Sequence, residues 1–114
     1  MSERDNVNDK SRVSDTIISA FQEAGYAPRL HYTDVLYSVV VIDLSDGSVL
    51  YVTDPHFSVH EPVDEHIGPL VIAHLPDPEL PEVCTFIYQG ADGMTLAEDI
   101  AACIATVSAF MTTI

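Results

Sequence analysis

The stretch VLYSVVVIDLSDGSVLYVT, residues 35–53, decides the fold. β-Branched and aromatic residues fill both alternating sets of its first half, Val35, Tyr37, Val39 and Val41 against Leu36, Ser38, Val40 and Ile42. Such residues suit a pleated, packed surface, so residues 35–42 read as a strand. Asp46-Gly47 is a hairpin turn signal, and residues 48–53 return antiparallel to the first strand. A strand that is apolar on both faces is covered on both, or lies in a dimer.

Upstream of this hairpin, Val13, Ile17, Phe21 and Ala24 recur at helical spacing with Ile18 beside them. They give one apolar stripe, and hence a helix from Ser11 or Ser14 to Ala24. Ser11 or Ser14 supplies its cap, Gly25 its left-handed stop and Pro28 the break. Residues 29–32 begin a strand, which the four-strand count below leaves out, and 33–34 read as a bulge or short turn.

Downstream, residues 54–68 form a long loop broken by Pro55 and Pro62, and residues 70–75 read as the third strand. Pro76, Pro78 and Pro81 make residues 76–81 a stiff, extended acidic connector. Residues 83–88 are the fourth strand, with Val83, Thr85 and Ile87 alternating against Cys84, Phe86 and Tyr88. After a turn at residues 91–93, Thr95 and Glu98 make a capping box, and a helix runs from Leu96 to about Met111. Its core stripe is Leu96, Ile100, Ile104 or Cys103, Val107 and Phe110 or Met111.

The order is α-β-β-β-β-α. A meander of sequential strands then predicts an α+β two-layer sandwich, an antiparallel four-stranded sheet with the N-terminal and C-terminal helices on one face. The expected organisation is a flexible tail over residues 1–10 and one domain over 11–114. The polar tail has no apolar segment of the secretory kind. With two cysteines in apolar patterns, Cys84 and Cys103, both read as small buried thiols, the expected compartment is a reducing, cytoplasmic one.

Charge carries the functional information. The net charge is -14, and no Lys or Arg follows Arg29, while thirteen Asp and Glu do. Such a surface generates a field of one sign. It repels nucleic acid and anionic membrane, and it attracts basic surfaces, most often the nucleic-acid-binding grooves of other proteins. The meander sorts the carboxylates to the two ends of the sheet. One end receives Asp34, Asp54, Glu61, Asp64, Glu65, Asp92, Glu98 and Asp99, the expected partner-binding set. The other receives a second cluster, Asp43, Asp46, Asp77, Glu79 and Glu82. Few acids fall mid-strand, where burial costs several kcal/mol. Carboxylates about 6.6 Å apart along a strand are able to stand in for phosphates.

His56, His60, His66 and His74 lie within nineteen residues, among carboxylates. Pro62 ends any helical turn that would pair His56 with His60, so no metal site is expected. Protonation of all five histidines takes the charge from -14 to -9, and binding to a basic partner then weakens below about pH 6. No nucleophile elbow, P-loop or dinucleotide fingerprint is present, so neither an enzyme nor a cofactor is expected. The last helix carries no charge after Asp99. Its small residues Ala97, Ala101, Ala105 and Ala109 would let a second copy approach, which makes a homodimer one expectation and simple burial the other.

In charge and size the chain is similar to phage-encoded anti-CRISPR and other DNA-mimic proteins. The likeness rests on no shared motif and carries over no functional residue. It implies an inhibitor that occupies a basic nucleic-acid-binding site, such as that of a bacterial defence complex. An immunity protein against a basic toxin shares the same physics. In outline the element order also resembles the type III secretion chaperones, which implies a dimeric acidic adaptor with apolar client-binding faces. A halophilic proteome is a further source of acidic, Lys-poor composition.

Overall fold

Seven elements follow one another in the computed structural model, which describes residues 12–34, 37–54, 59 and 69–112. They are α1 (Val13–Glu23), β1 (Pro28–Asp34), β2 (Tyr37–Asp43), β3 (Val49–Thr53), β4 (Val71–Leu75), β5 (Thr85–Gln89) and α2 (Leu96–Met111). The strands pair in sequence order, all antiparallel, as one sheet β1-β2-β3-β4-β5. The α+β class and the meander match the sequence reading; the sheet, however, has five strands rather than four.

The strand left out of that count is β1, where the sequence places the start of a strand and a bulge. It pairs with β2 from Pro28↔Ile42 to Asp34↔Tyr37, with an irregularity between Tyr32 and Asp34. Its sequence is mostly polar because it is an edge strand, and Pro28 is tolerated as its first residue. The tail at residues 1–10 and most of the 54–68 loop lie outside the described residues.

Alternation along the strands builds two apolar layers. Val40, Ile42, Leu50, Val52 and Ile72 join Val13, Ile17 and Phe21 of α1 and Ile100, Cys103 and Val107 of α2 in one core. Both helices therefore cover the same face. On the opposite face Val39, Val41, Val49, Ala73 and Leu75 form a second cluster, with Tyr51 packed against it. Full burial of a side chain such as Phe21 contributes about 1.5–3 kcal/mol.

Local chemistry sets the ends. The first helix starts at Arg12, whose backbone N–H donates to the Asp15 carboxylate at 3.2 Å. Ser14 is not the cap: it is buried inside the first turn, and its hydroxyl is without a partner among the described residues. At the other end Tyr26 N–H reaches Phe21 C=O (2.9 Å) and Gly25 N–H reaches Gln22 C=O (3.0 Å). This pair of bonds is a Schellman stop, and Gly25 takes the φ of +99° it requires. Between β2 and β3, Gly47 adopts φ +91° in a three-residue loop closed by Leu44 N–H to Ser48 C=O at 2.9 Å.

Two further expectations change. The connector after β4 is not extended: Leu80 N–H bonds Asp77 C=O and Val83 N–H bonds Leu80 C=O, both at 2.9 Å, giving two linked turns. The Asp77 carboxylate also accepts Glu79 N–H at 3.0 Å, a side-chain turn that competes with extended backbone. In β5 the register shifts: Ile72 pairs with Tyr88, but Ala73 pairs with Phe86. Ile87 is the extra residue of a bulge, so Phe86 and Tyr88 do not share a face as simple alternation requires.

Candidate functional site

On the face away from the helices lies a cleft of about 680 Å³. Tyr51, Val71, Ala73 and Leu75 form its floor. Phe86 of β5 and Pro78, Pro81 and Cys84 of the connector form its wall. His31, Thr53, Asp54 and Gln89 supply its polar lining. Phe86 is 66 % exposed, and Leu80 and Val83 of the same connector are exposed as well. Three exposed apolar side chains on one short stretch beside a cleft are the kind of feature that marks contact surfaces, where a single one would not be.

The register places the carboxylates at the two sheet ends, but their surroundings differ. In the first set, Asp99 is buried. Its carboxylate accepts Leu70 N–H at 2.7 Å and the Tyr88 hydroxyl in a shorter bond. It thereby ties α2 to the start of β4 and to β5. Gly90 makes room for it: a Cβ there would stand 2.5 Å from Asp99 Oδ1 and 2.9 Å from Pro69 Cβ. Burial, then the bond to Asp99, pushes the Tyr88 hydroxyl well above the usual tyrosine range. Burial does the same to the Cys103 thiol, with the Asp99 charge adding to it. Asp54 is also fully buried, in the cleft lining. Glu98 is exposed, with its carboxylate accepting Thr95 N–H at 2.9 Å in the expected capping box, and Asp92 is exposed. Asp34 ends β1; Glu61, Asp64 and Glu65 lie outside the described residues. Asp99 and Asp54 thus present no open carboxylate to a partner, because each is inside the domain.

The second set is the exposed one. Asp43, Asp46, Asp77, Glu79 and Glu82 all face solvent. Asp43 holds Arg29 through two bonds, Nε–Oδ2 at 3.0 Å and Nη2–Oδ1 at 3.1 Å. The guanidinium bond holds the Asp43 carboxyl below its usual range, and Arg29 rises correspondingly. Both side chains are more than half exposed, so this pair is worth at most about 1 kcal/mol. Its main effect is to neutralise the cation beside the cluster and, with it, the charge of Asp43. Asp46 accepts both the hydroxyl and the N–H of Ser48, which hold its carboxyl low. Because the Ser48 proton goes to Asp46, His74 Nε2, 3.0 Å from Ser48 Oγ, is the donor in that contact. This Asp46–Ser48–His74 chain is a brace, not a nucleophilic triad: Ser48 is buried and its proton points away from the histidine. The His74 ring packs on Phe110 of α2 with centroids 4.9 Å apart.

Cys84 departs from the expectation of a buried thiol: it is exposed and lines the cleft, whereas Cys103 is buried. Ala97, Ala101, Ala105 and Ala109 lie on the exposed side of α2. His56, His60 and His66 are outside the described residues, among which no group of three metal-ligating side chains occurs. No helix among the described residues is long and apolar enough to cross a membrane. The cleft residues His31, Tyr51, Phe86 and Gln89 escaped the sequence reading. Only the bulge at Ile87 turns Phe86 toward the cleft, and strict alternation gives no sign of it. No family model, curated protein or solved structure matches the chain.

Proposed function

We propose that this protein works by binding a basic protein partner, as a small acidic inhibitor that occupies a nucleic-acid-binding surface. One observation supports the reading above the others. Four exposed carboxylates, Asp46, Asp77, Glu79 and Glu82, gather at one end of the sheet beside Asp43, whose own charge is paired with Arg29. A fixed carboxylate array of this kind presents to Lys and Arg what a phosphate backbone presents. Hydrogen-bonded turns at residues 77–83 carry three of these acids, which limits the backbone entropy lost on binding.

The adaptor reading draws on a different feature, the apolar cleft beside these acids, and differs in its salt response. The test is capture of the partner from a bacterial lysate on immobilised full-length protein, followed by elution with rising salt and by competition with duplex DNA. Inhibition by mimicry predicts release at moderate salt and displacement by DNA. A captured partner that resists both would leave the adaptor reading in its place.

A further inference from the structure

We infer that the cleft on the sheet face away from the helices receives an apolar or aromatic side chain from a basic segment of the partner protein, whose flanking Lys and Arg engage Asp77, Glu79 and Glu82. This deepens the proposed function and rests on it. It adds the chemistry of the contacting segment, apolar and cationic together, which charge alone does not specify.

Three features of the site select this occupant. The cleft volume, about 680 Å³, lies in the range of about 300–1,000 Å³ typical of ligand sites. Its floor of Val71, Ala73 and Leu75 is buried, while Phe86, Leu80 and Val83 beside its wall are exposed, so the apolar surface open to a partner is on the wall side. One strip of chain then supplies both wall and rim. Pro78, Pro81 and Cys84 face the cleft, while Asp77, Glu79 and Glu82, interleaved with them, are exposed. An occupant that fills the cleft therefore passes a row of carboxylates.

Charge complementarity decides between classes of occupant. A second copy of this chain would bring one acidic rim against another, which is repulsive. Nucleic acid and anionic lipid meet the same repulsion. A neutral apolar segment would fill the cleft but leave the carboxylates unengaged. A segment with an aromatic or aliphatic residue between Lys and Arg satisfies wall and rim together.

Cys84 provides the readout, since it is exposed in the cleft wall while Cys103 is buried. The rate of Cys84 alkylation by N-ethylmaleimide is followed by mass spectrometry on the full-length protein, alongside fluorescence anisotropy of three labelled peptides. The first has the sequence Lys-Arg-Phe-Leu-Arg-Lys. The second replaces its Phe and Leu with Ala. The third replaces its Lys and Arg with Glu and Gln. At ten times its Kd, the first peptide leaves about one site in eleven free, so Cys84 alkylation slows about tenfold. Phe86→Ala weakens that peptide about tenfold, the usual size for an exposed aromatic anchor. The triple variant Asp77→Asn, Glu79→Gln, Glu82→Gln weakens its binding and lessens the salt dependence.

Each alternative result identifies what fails. If both basic peptides bind equally and Cys84 reacts at its free rate, the acidic surface stands and the cleft has no part in it. If the acidic-flanked peptide protects Cys84 as well as the first, the rim contributes nothing and the charge argument is overturned. If neither basic peptide binds at low salt, the proposed function falls together with this inference.

Discussion

Replacing Asp99 with Ala strips the acceptor from two donors at once, the buried Leu70 N–H at 2.7 Å and the Tyr88 hydroxyl. Hydrogen bonds to a charged group contribute about 1.5–3 kcal/mol each, and the orphaned donors stay inside the domain. Two such losses come to about 4 kcal/mol, against a total stability of about 5–15 kcal/mol for a domain. For a chain of this size about 4 °C of Tm goes with each kcal/mol, so the variant melts about 15 °C lower. Asp99→Asn keeps one acceptor oxygen and loses about half as much. Urea and thermal melts followed by circular dichroism give both numbers, with Glu82→Gln as an exposed control that stays within about 0.5 kcal/mol of wild type. An Asp99→Ala protein that melts within a degree or two of wild type would refute the placement of this carboxylate in the interior. It would also return Asp99 to the partner-facing set that its position in the sequence suggests.

Alkali tests the same junction from the other side. The folded state raises the Tyr88 pKa, so its contribution is complete below about pH 10 and is lost as pH rises toward the folded value; urea midpoints should fall above pH 10 in wild type and fall less in Tyr88→Phe. Ser14→Ala removes a buried hydroxyl that has no partner among the described residues, and the urea midpoint should rise by the equivalent of up to about 1 kcal/mol. Thiol titration of the native protein should find Cys84 reacting at once and Cys103 only after denaturation, since Cys103 is buried and its thiol pKa is raised. Two equally fast thiols would contradict the packing of α2 on the sheet.

The parts of the fold legible in the sequence are those where local chemistry and tertiary packing agree. The β2–β3 hairpin announces itself through its β-branched run and Asp46-Gly47. The second helix keeps its expected boundaries because Thr95 and Glu98 cap it in the way the capping box requires. Gly25 stops α1 where its φ is needed. Elsewhere the deciding interaction lies between distant residues. The first strand is polar because its place at the sheet edge leaves much of it exposed, so composition shows where it begins but not that it joins the sheet as a full strand. In the connector, proline content suggests extension, but the Asp77 side chain captures Glu79 N–H and bends the chain into turns. The bulge at Ile87 breaks the period of two, and the cleft depends on it.

The candidate site divides in the same way. Sorting of carboxylates to the sheet ends was legible, because the meander alone dictates it. Which of them face solvent was not. Asp99 reads as one more acid in the first turn of a helix until Gly90, Tyr88 and the Leu70 N–H, all remote in sequence or on other elements, close around it. Asp43 likewise reads as an uncompensated charge until the edge strand brings Arg29 beside it.

The most direct measurement is the affinity of the full-length protein for its captured partner across a salt series, compared with the Asp77→Asn, Glu79→Gln, Glu82→Gln variant. Recognition by the exposed acidic rim predicts a steep loss of affinity with salt in wild type, and weaker, less salt-dependent binding in the variant. Identical curves for the two proteins would contradict it.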